Sequence, residues 1–448
     1  MVDDWSQGLA AAGLSPAQVG VKREMLGRAR RALEDVGAEP GDEVRAFFVP
    51  GRVEVLGKHT DYAGGRSLLC TVERGFAVVA APRDDRAIRV IDAGKALAVE
   101  FAADPDLVPE AGRWSNYPMT VARRLARNFP GATRGADIAL VSDLPADAGM
   151  SSSSAFMVAI FLVLAERNAL GRTFAYRREI RSAEDLAGYL ATVENGQSFG
   201  SLAGDRGVGT FGGSEDHTAI LCCQPGALSQ YSFCPVCHER TVPLPDRYAF
   251  VVGSSGVLAQ KTGDALERYN RASLATRAIL ESWRACSGRA DASLAAAVAH
   301  APDAVSRIRC VLADCPDTAF PRQVLLDRLQ QFVDESTEIV PAVGDAIVRG
   351  DVEAIGPLVD RSQRAAEVLL GNQVPETIAL ARMARTLGAL AASAFGAGFG
   401  GSVWALVDAE TAGEFQSRWS EHYARQFPEA ASRAVSFVTR PGPAAIRL

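Results

Sequence analysis

The chain has 448 residues, 48% hydrophobic and 22% charged, the composition of a globular protein with a large core and room for two lobes. A net charge of −6 excludes a broadly basic nucleic-acid-binding face, and the longest apolar run, 155–165, is too short to span a bilayer. The start, Met1-Val2-Asp3-Asp4, is acidic where a secretory signal is basic, and eight scattered cysteines make no disulfide framework, so a cytoplasmic protein is expected.

In chain order, residues 16–36 read as an amphipathic helix rich in Arg and Lys. Short β-type runs follow at 45–49, 53–56, 77–80, 88–91 and 97–101. A further strand, 136–141, leads into a serine-rich loop and the apolar helix 155–165. A second helix is expected over 183–195, then a glycine-rich loop, 196–214, with few apolar anchors, which reads as a mobile lid or a substrate loop. Residues 218–223 read as a strand, and so does 248–252. Long helical patterns fill 264–283, 322–349, 352–371 and 375–392, and a glycine-rich turn, 396–401, precedes the apolar run 403–407. Strands mixed with helices, then mostly helices, predict an α+β protein of two lobes. Gly and Pro cluster at 224–247, which sets the expected division at 1–223 and 224–448.

The most informative stretch is Leu144 to Ala155, Leu-Pro-Ala-Asp-Ala-Gly-Met-Ser-Ser-Ser-Ser-Ala. A loop of small residues opening a buried helix leaves backbone N–H groups without intrahelical partners. With the helix dipole and the hydroxyls of Ser151, Ser152, Ser153 and Ser154, and with Gly149 to let the backbone approach, it suits a bound phosphate. A single serine N-cap would explain a core helix alone; four in a row favour the anion.

Three other motifs carry less than they first suggest. Cys234-Pro-Val-Cys237-His238 has the spacing of a haem-attachment site, but that chemistry belongs to exported proteins. Zinc would need further ligands, for which only Cys222 and Cys223 are near, so reduced thiols on a surface turn are expected. Gly51 to His59 resembles a P-loop, yet five residues separate its glycines and His59 stands where Ser or Thr is required. Gly396-Ala-Gly398-Phe-Gly-Gly401 fits G-x-G-x-x-G, but helix-like sequence precedes it and strand-like sequence follows, the reverse of a dinucleotide site.

The segment Pro50-Gly-Arg-Val-Glu-Val-Leu-Gly-Lys-His-Thr-Asp-Tyr-Ala-Gly-Gly65 is denser in polar groups than a turn requires. Arg52 offers a planar fork for an anionic oxygen, and Asp61 offers acceptors for a polyhydroxylated ligand. His59 alone reads first as part of a polar turn and second as a ligand contact.

This segment resembles the first signature of galactokinases, within the GHMP small-molecule kinases. The loop Leu144–Ala155 resembles the second, phosphate-binding motif of that superfamily, and Ser393-Ala-Phe-Gly-Ala-Gly-Phe-Gly-Gly401 resembles the third. Trp114-Ser-Asn-Tyr117 is similar to the W-x-N-Y stretch, and Tyr269-Asn270-Arg271 to Y-N-x-R without its spacer.

The resemblance implies a two-lobed GHMP fold with the active site in the interlobe cleft, and ATP-dependent phosphorylation of a monosaccharide, at C1. ATP and Mg²⁺ are the implied cofactors. Ser153 and Glu194 would hold Mg²⁺, Asp216 would be the catalytic carboxylate, ahead of Glu215, and Arg52 would stabilise charge beside it. Asp61, His59, Lys58 and Gly398 would line the sugar site. Phosphoryl transfer needs both a metal and a carboxylate that positions the attacking hydroxyl, which agrees with this set.

Two departures bear on the substrate. Asp216 follows Glu194 by 22 positions, longer than is usual in galactokinases, the extra length being the 196–214 loop. Lys58 stands where galactokinases carry a glutamate, and a lysine accepts no hydrogen bond. Lys58 therefore reads as a contact to an anionic sugar such as a uronic acid, as compensation for a differently oriented neutral sugar, or as a partner of Glu215 or Asp61 that touches no substrate. The rival functions are a catalytically silent sugar and ATP sensor and a kinase of a non-sugar alcohol of the mevalonate kind.

Overall fold

The computed structural model describes residues 2–38, 43–110, 112–145, 148–257, 264–314 and 319–448; Ala146 and Asp147 of the serine-rich loop lie outside the described residues. Helices α1 (Val2–Ala11) and α2 (Pro16–Asp35) precede four strands, β1 (Arg45–Leu56), β2 (Arg66–Pro82), β3 (Ala87–Asp92) and β4 (Leu97–Ala102). Then come α3 (Asn116–Asn128), β5 (Ala136–Ser142), α4 (Ser152–Arg167), α5 (Phe174–Glu179), α6 (Ala183–Asn195), α7 (Glu215–Cys222), β6 (Ala227–Ser232) and β7 (Cys237–Pro243). The second part holds β8 (Tyr248–Ser254), α8 (Asp264–Ser287), α9 (Leu294–Ala299), α10 (Ala304–Asp314), α11 (Arg322–Val333), α12 (Val340–Val348), α13 (Ile355–Ala365) and α14 (Pro375–Thr386). Strands β9 (Ala391–Phe395) and β10 (Ser402–Asp408), helices α15 (Ala412–Gln426) and α16 (Pro428–Ala431), and strands β11 (Ser436–Thr439) and β12 (Ile446–Arg447) complete it.

The first sheet runs in the order β12-β1-β2-β5-β3-β4, with β6 on the same edge of the long β2 as β5 and β7 paired to β6. Only β3 and β5 pair in parallel among the described strands. One face of this sheet packs on α3, α4 and α6 through Val78, Ile138, Ile160 and Leu190; the other packs on α1 and α2 through Phe48, Val79, Leu26 and Leu9. The second sheet, β11-β8-β10-β9, is antiparallel and carries α14 and α15 on one face. Its other face joins the first sheet in a common core, where Val53, Val55, Leu68 and Val72 meet Phe250, Val252, Trp404, Val343 and Val359. The expected α+β class is what the chain adopts.

Several expected elements differ. The runs 45–49 and 53–56 form one strand, β1, bent by register shifts at Pro50/Arg52 and Glu54/Leu56. Residues 218–223 lie mostly in helix α7 and not in a strand; the acids Glu215 and Asp216 in its first turn suit a helix dipole, which outweighs the strand propensity of Thr218 and Ile220. The pattern 375–392 ends as a helix at Thr386, and 391–395 is a strand, so the 396–401 turn closes a β9–β10 hairpin. A strand follows this turn, which again excludes the dinucleotide site. The pattern 322–349 is interrupted by a π-helical stretch, Asp334–Ile339, between α11 and α12. Strand pairing carries the first sheet past residue 223 to Pro243 and returns Ile446–Arg447 to it. Cys234 and Cys237 are exposed free thiols on the β6–β7 turn, and no group of three metal-ligating His, Cys, Asp or Glu is found among the described residues.

Candidate active site

Strand β1 brings the first polar residues together. Side chains two apart on a strand share a face, so Val53 and Val55 enter the core while Arg52 and Glu54 face a cleft. This cleft is lined by Arg52, Glu54, His59, Asp61, Tyr62, Glu194, Glu215, Asp216, His217 and Tyr269, with Gly396 and Ala397 of the β9–β10 turn.

Arg52 spans the centre. Its Nε and Nη2 reach Asp216 Oδ1 at 2.8 and 2.7 Å, and its Nη1 donates to the Gly149 carbonyl at 2.7 Å. Burial alone would lower the guanidinium pKa, but the charges of Asp216, Glu215 and Glu54 outweigh it and hold the group charged. Arg52 thus ties the serine-rich loop to the first turn of α7.

That loop enters α4 through Ser151, whose backbone is left-handed (φ 56°). The Ser151 Oγ is buried and has no hydrogen-bond partner among the described residues. The amides of the first turn begin at Ser152, and the helix behind is buried from Ala155 to Phe161. The β9–β10 turn packs directly on this loop: a Cβ at Gly396 would lie 2.7 Å from the Gly149 carbonyl oxygen. Glycine at 396, with φ 82°, is what lets the two loops meet.

Ser154, one residue beyond the serine expected to bind metal, is the one turned inward. Its Oγ donates to Glu194 Oε2 at 2.8 Å and to Asp216 Oδ2 at 3.4 Å, and the residue is fully buried, whereas Ser153 is half-buried. Glu194 closes α6, where Gly196 provides a left-handed C-cap. His217 Nε2 lies 3.4 Å from Glu194 Oε2. A hydroxyl and two carboxylates converging from three helices form an all-oxygen set, the chemistry that suits Mg²⁺ with phosphate and water completing its shell.

Asp61 and His59 lie in the cleft as expected, each with protein partners. Asp61 Oδ2 accepts the Glu215 amide at 3.1 Å and so caps α7. Burial pushes the Asp61 carboxyl up to about 6, against the pull of the Glu215 and Tyr62 amides. His59, at φ 58°, places Nδ1 2.9 Å from Tyr62 Oη and Nε2 3.1 Å from the Ala397 carbonyl. A carbonyl only accepts, so Nε2 carries the proton and Nδ1 accepts from Tyr62. Tyr269 packs on the His59 ring at 5.5 Å, and the next residue, Asn270, binds the 196–214 loop through the Gly209 carbonyl and the Phe211 amide.

Two expected ligand contacts are turned elsewhere. Lys58 is 1% exposed, lies outside the cleft wall and donates through Nζ to Ser362 Oγ at 2.9 Å. Among the described residues its Nζ bonds neither Glu215 nor Asp61. Gly398 faces Asn372: a Cβ there would lie 2.3 Å from the Asn372 carbonyl oxygen, and Gly396 and Ala397 form the cleft wall in its place.

Sequence reasoning missed Glu54. Its Oε2 accepts the Gly396 amide at 3.2 Å, and its Oε1 is buried and receives no hydrogen bond. Burial raises its carboxyl to about 7, though Arg52 and Lys58 pull it back. Glu215, buried against it, accepts from Ser67 Oγ at 2.6 Å; burial and the charges of Glu54 and Asp61 drive its pKa well up. The signal was present, since Glu54 follows Arg52 by two on a strand.

Comparison with known proteins gives the family of the chain. Residues 116–204 match the GHMP kinases N terminal domain and 345–425 match GHMP kinases C terminal. The chain is a GHMP kinase. Residues 34–82 match the galactokinase galactose-binding signature, and within its class the chain is of galactokinase type, an ATP-dependent phosphotransferase acting on a sugar hydroxyl. A galactokinase of Chloroflexus aggregans is 28% identical over 385 residues, 85% of this chain and 88% of the relative. One from a Roseiflexus species is 28% identical over 403 residues, 88% and 90% of the two chains. The crystal structure of Lactococcus lactis galactokinase complexed with galactose shares the fold with a TM-score of 0.77 at 21% identity, over 94% of this chain and 99% of that one. A mevalonate kinase shares it more distantly, with a TM-score of 0.52 at 12% identity over 89% and 99%. No described helix is long and apolar enough to cross a membrane.

Proposed function

We propose that the chain transfers the γ-phosphoryl group of ATP to the C1 hydroxyl of a neutral hexose, galactose or a close relative, in the cytoplasm. The observation that carries this reading is the Arg52–Asp216 pair, 2.7 Å apart between the N-termini of α4 and α7. Asp216 accepts the proton of the attacking hydroxyl as the new O–P bond forms and the bond to the β-phosphate oxygen breaks, releasing ADP. Arg52 holds that carboxylate in place and offsets the charge that develops beside it. The amides opening α4 and the free Ser151 hydroxyl seat the phosphate oxygens, with Gly149, Ser152 and Ser153 forming the backbone cradle. Ser154 and Glu194 would hold Mg²⁺, which neutralises phosphate charge when bound. His59, Asp61 and Tyr269 face the sugar. Five carboxylates against one guanidinium in the cleft wall favour a neutral acceptor over a uronic acid.

The test is ADP release across a panel of hexoses and uronic acids, with the product identified by phosphorus NMR. Asp216→Asn should lose about 10³-fold in kcat while binding nucleotide normally. Undiminished turnover in that variant would overturn the assignment; ATP-dependent sugar binding without turnover in the native chain would favour a sensor.

A further inference from the structure

The cleft contains a pair of acids, Glu54 and Glu215, that the phosphoryl-transfer steps do not use. They approach from β1 and from the first turn of α7, and both line the cleft. Both side chains are buried and share one wall of the cleft, with the Gly396 amide on Glu54 and the Ser67 hydroxyl on Glu215. The nearby cations are committed elsewhere. Arg52 directs its donors to Asp216 and Gly149, and Lys58 directs Nζ to Ser362. Glu54 Oε2 has the Gly396 amide, and Oε1 has no donor among the described residues. A buried carboxylate that no protein cation satisfies is costly to keep, and a donor on the ligand removes that cost.

Building on the sugar-kinase reading, we propose that Glu54, backed by Glu215, is a specificity-determining residue: it accepts a hydrogen bond from a hydroxyl of the acceptor sugar other than the reacting one. Lys58 is then the buried positive charge behind Glu54 and makes no contact with substrate. The wall selects a neutral sugar with a donor at that ring position and rejects both the deoxy sugar and a carboxylate placed there.

The experiment compares kcat/KM for the best hexose with its monodeoxy analogues in the native chain and in Glu54→Met, Glu54→Gln and Glu215→Met. In the native chain one ring position should cost about 30-fold when its hydroxyl is removed, the worth of a hydrogen bond to a charged acceptor. In Glu54→Met the same deletion should cost less than about threefold, with KM for ATP within about twofold of native. Glu54→Gln keeps an acceptor oxygen and should recover part of the penalty. If Glu54→Met does not fold, Glu54→Gln and Glu215→Met carry the comparison. A merely structural role lowers all sugars in parallel and leaves the deoxy penalty intact; that outcome overturns the proposal while the sugar-kinase reading survives. A native chain that turns over no sugar removes both together.

Discussion

Glu54 and Lys58, on one strand and the turn that follows it, belong to one pattern of charges. Read singly, Lys58 suggests an anionic ligand; with Glu54 two strand positions from Arg52, it becomes part of a buried network. The burial of Glu54 has a consequence for stability. Its carboxyl titrates near 7 in the folded chain, against an ordinary 4.5 when unfolded, with desolvation as the main cause. Between those values the folded chain keeps a proton that the unfolded chain has released, so native stability falls as pH rises through that window. Glu54→Gln removes the titration, and its thermal midpoint relative to the native chain should rise from about pH 5 to pH 8, by up to a few kcal/mol in stability. A midpoint difference that stays constant across that range counts against a desolvated Glu54. Polar residues of the first motif were legible by type and spacing. Which of them point inward was not, because the bend of β1 at Pro50 and the left-handed backbone at His59 set those directions.

At the scale of elements, the register of α4 decides which serine turns toward Glu194 and Asp216. Ser151 caps the helix, so Ser153 and Ser154 leave it about 100° apart, and only Ser154 meets Glu194 and Asp216. A run of four serines carries no mark of where the helix begins, so the sequence alone does not tell which of them turns inward. Ser154→Ala should weaken divalent binding in the presence of ATP by about 10–100-fold, measured by Mn²⁺ titration, and lower kcat with it. Ser153→Ala should stay within about threefold of native in both. The reverse order would return the metal to Ser153. The 196–214 loop was harder still to read, since its anchors are distant in sequence. Arg123 pairs with Asp205 at 2.8 Å and donates to the Arg206 carbonyl at 2.7 Å, Arg124 donates to the Gln197 carbonyl at 2.6 Å, and the Val208 amide donates to the Glu194 carbonyl at 2.8 Å. These ties fix the loop beside the residue that would hold the metal.

Across the whole molecule, the two sheets are one structure folded around the cleft. The common core of Val53, Val72, Phe250 and Trp404 joins them directly, so no flexible linker sets the distance between the nucleotide loop and the sugar side. The end of the chain adds a second join. After β11 in the second sheet, the Gly442 amide donates to the Thr71 carbonyl at 3.1 Å, the Ala445 amide to Ile220 of α7 at 2.7 Å, and the Leu448 amide to Ala46 of β1 at 2.9 Å. β12 pairs with β1 at Phe47 and Phe48. The first of these contacts falls on β2, and the others fall on α7 and β1, the elements that carry Asp216 and Arg52. Removing residues 441–448 loses several backbone hydrogen bonds at about 1 kcal/mol each, and should lower the thermal midpoint by a few degrees. If the tail fixes the β1–α7 spacing, kcat should fall about tenfold at temperatures where the truncated chain is still folded, while KM for ATP, set by the α4 loop, changes little. A truncated chain that melts earlier yet keeps native kcat would limit the tail to stability and leave the shared core alone to hold the site.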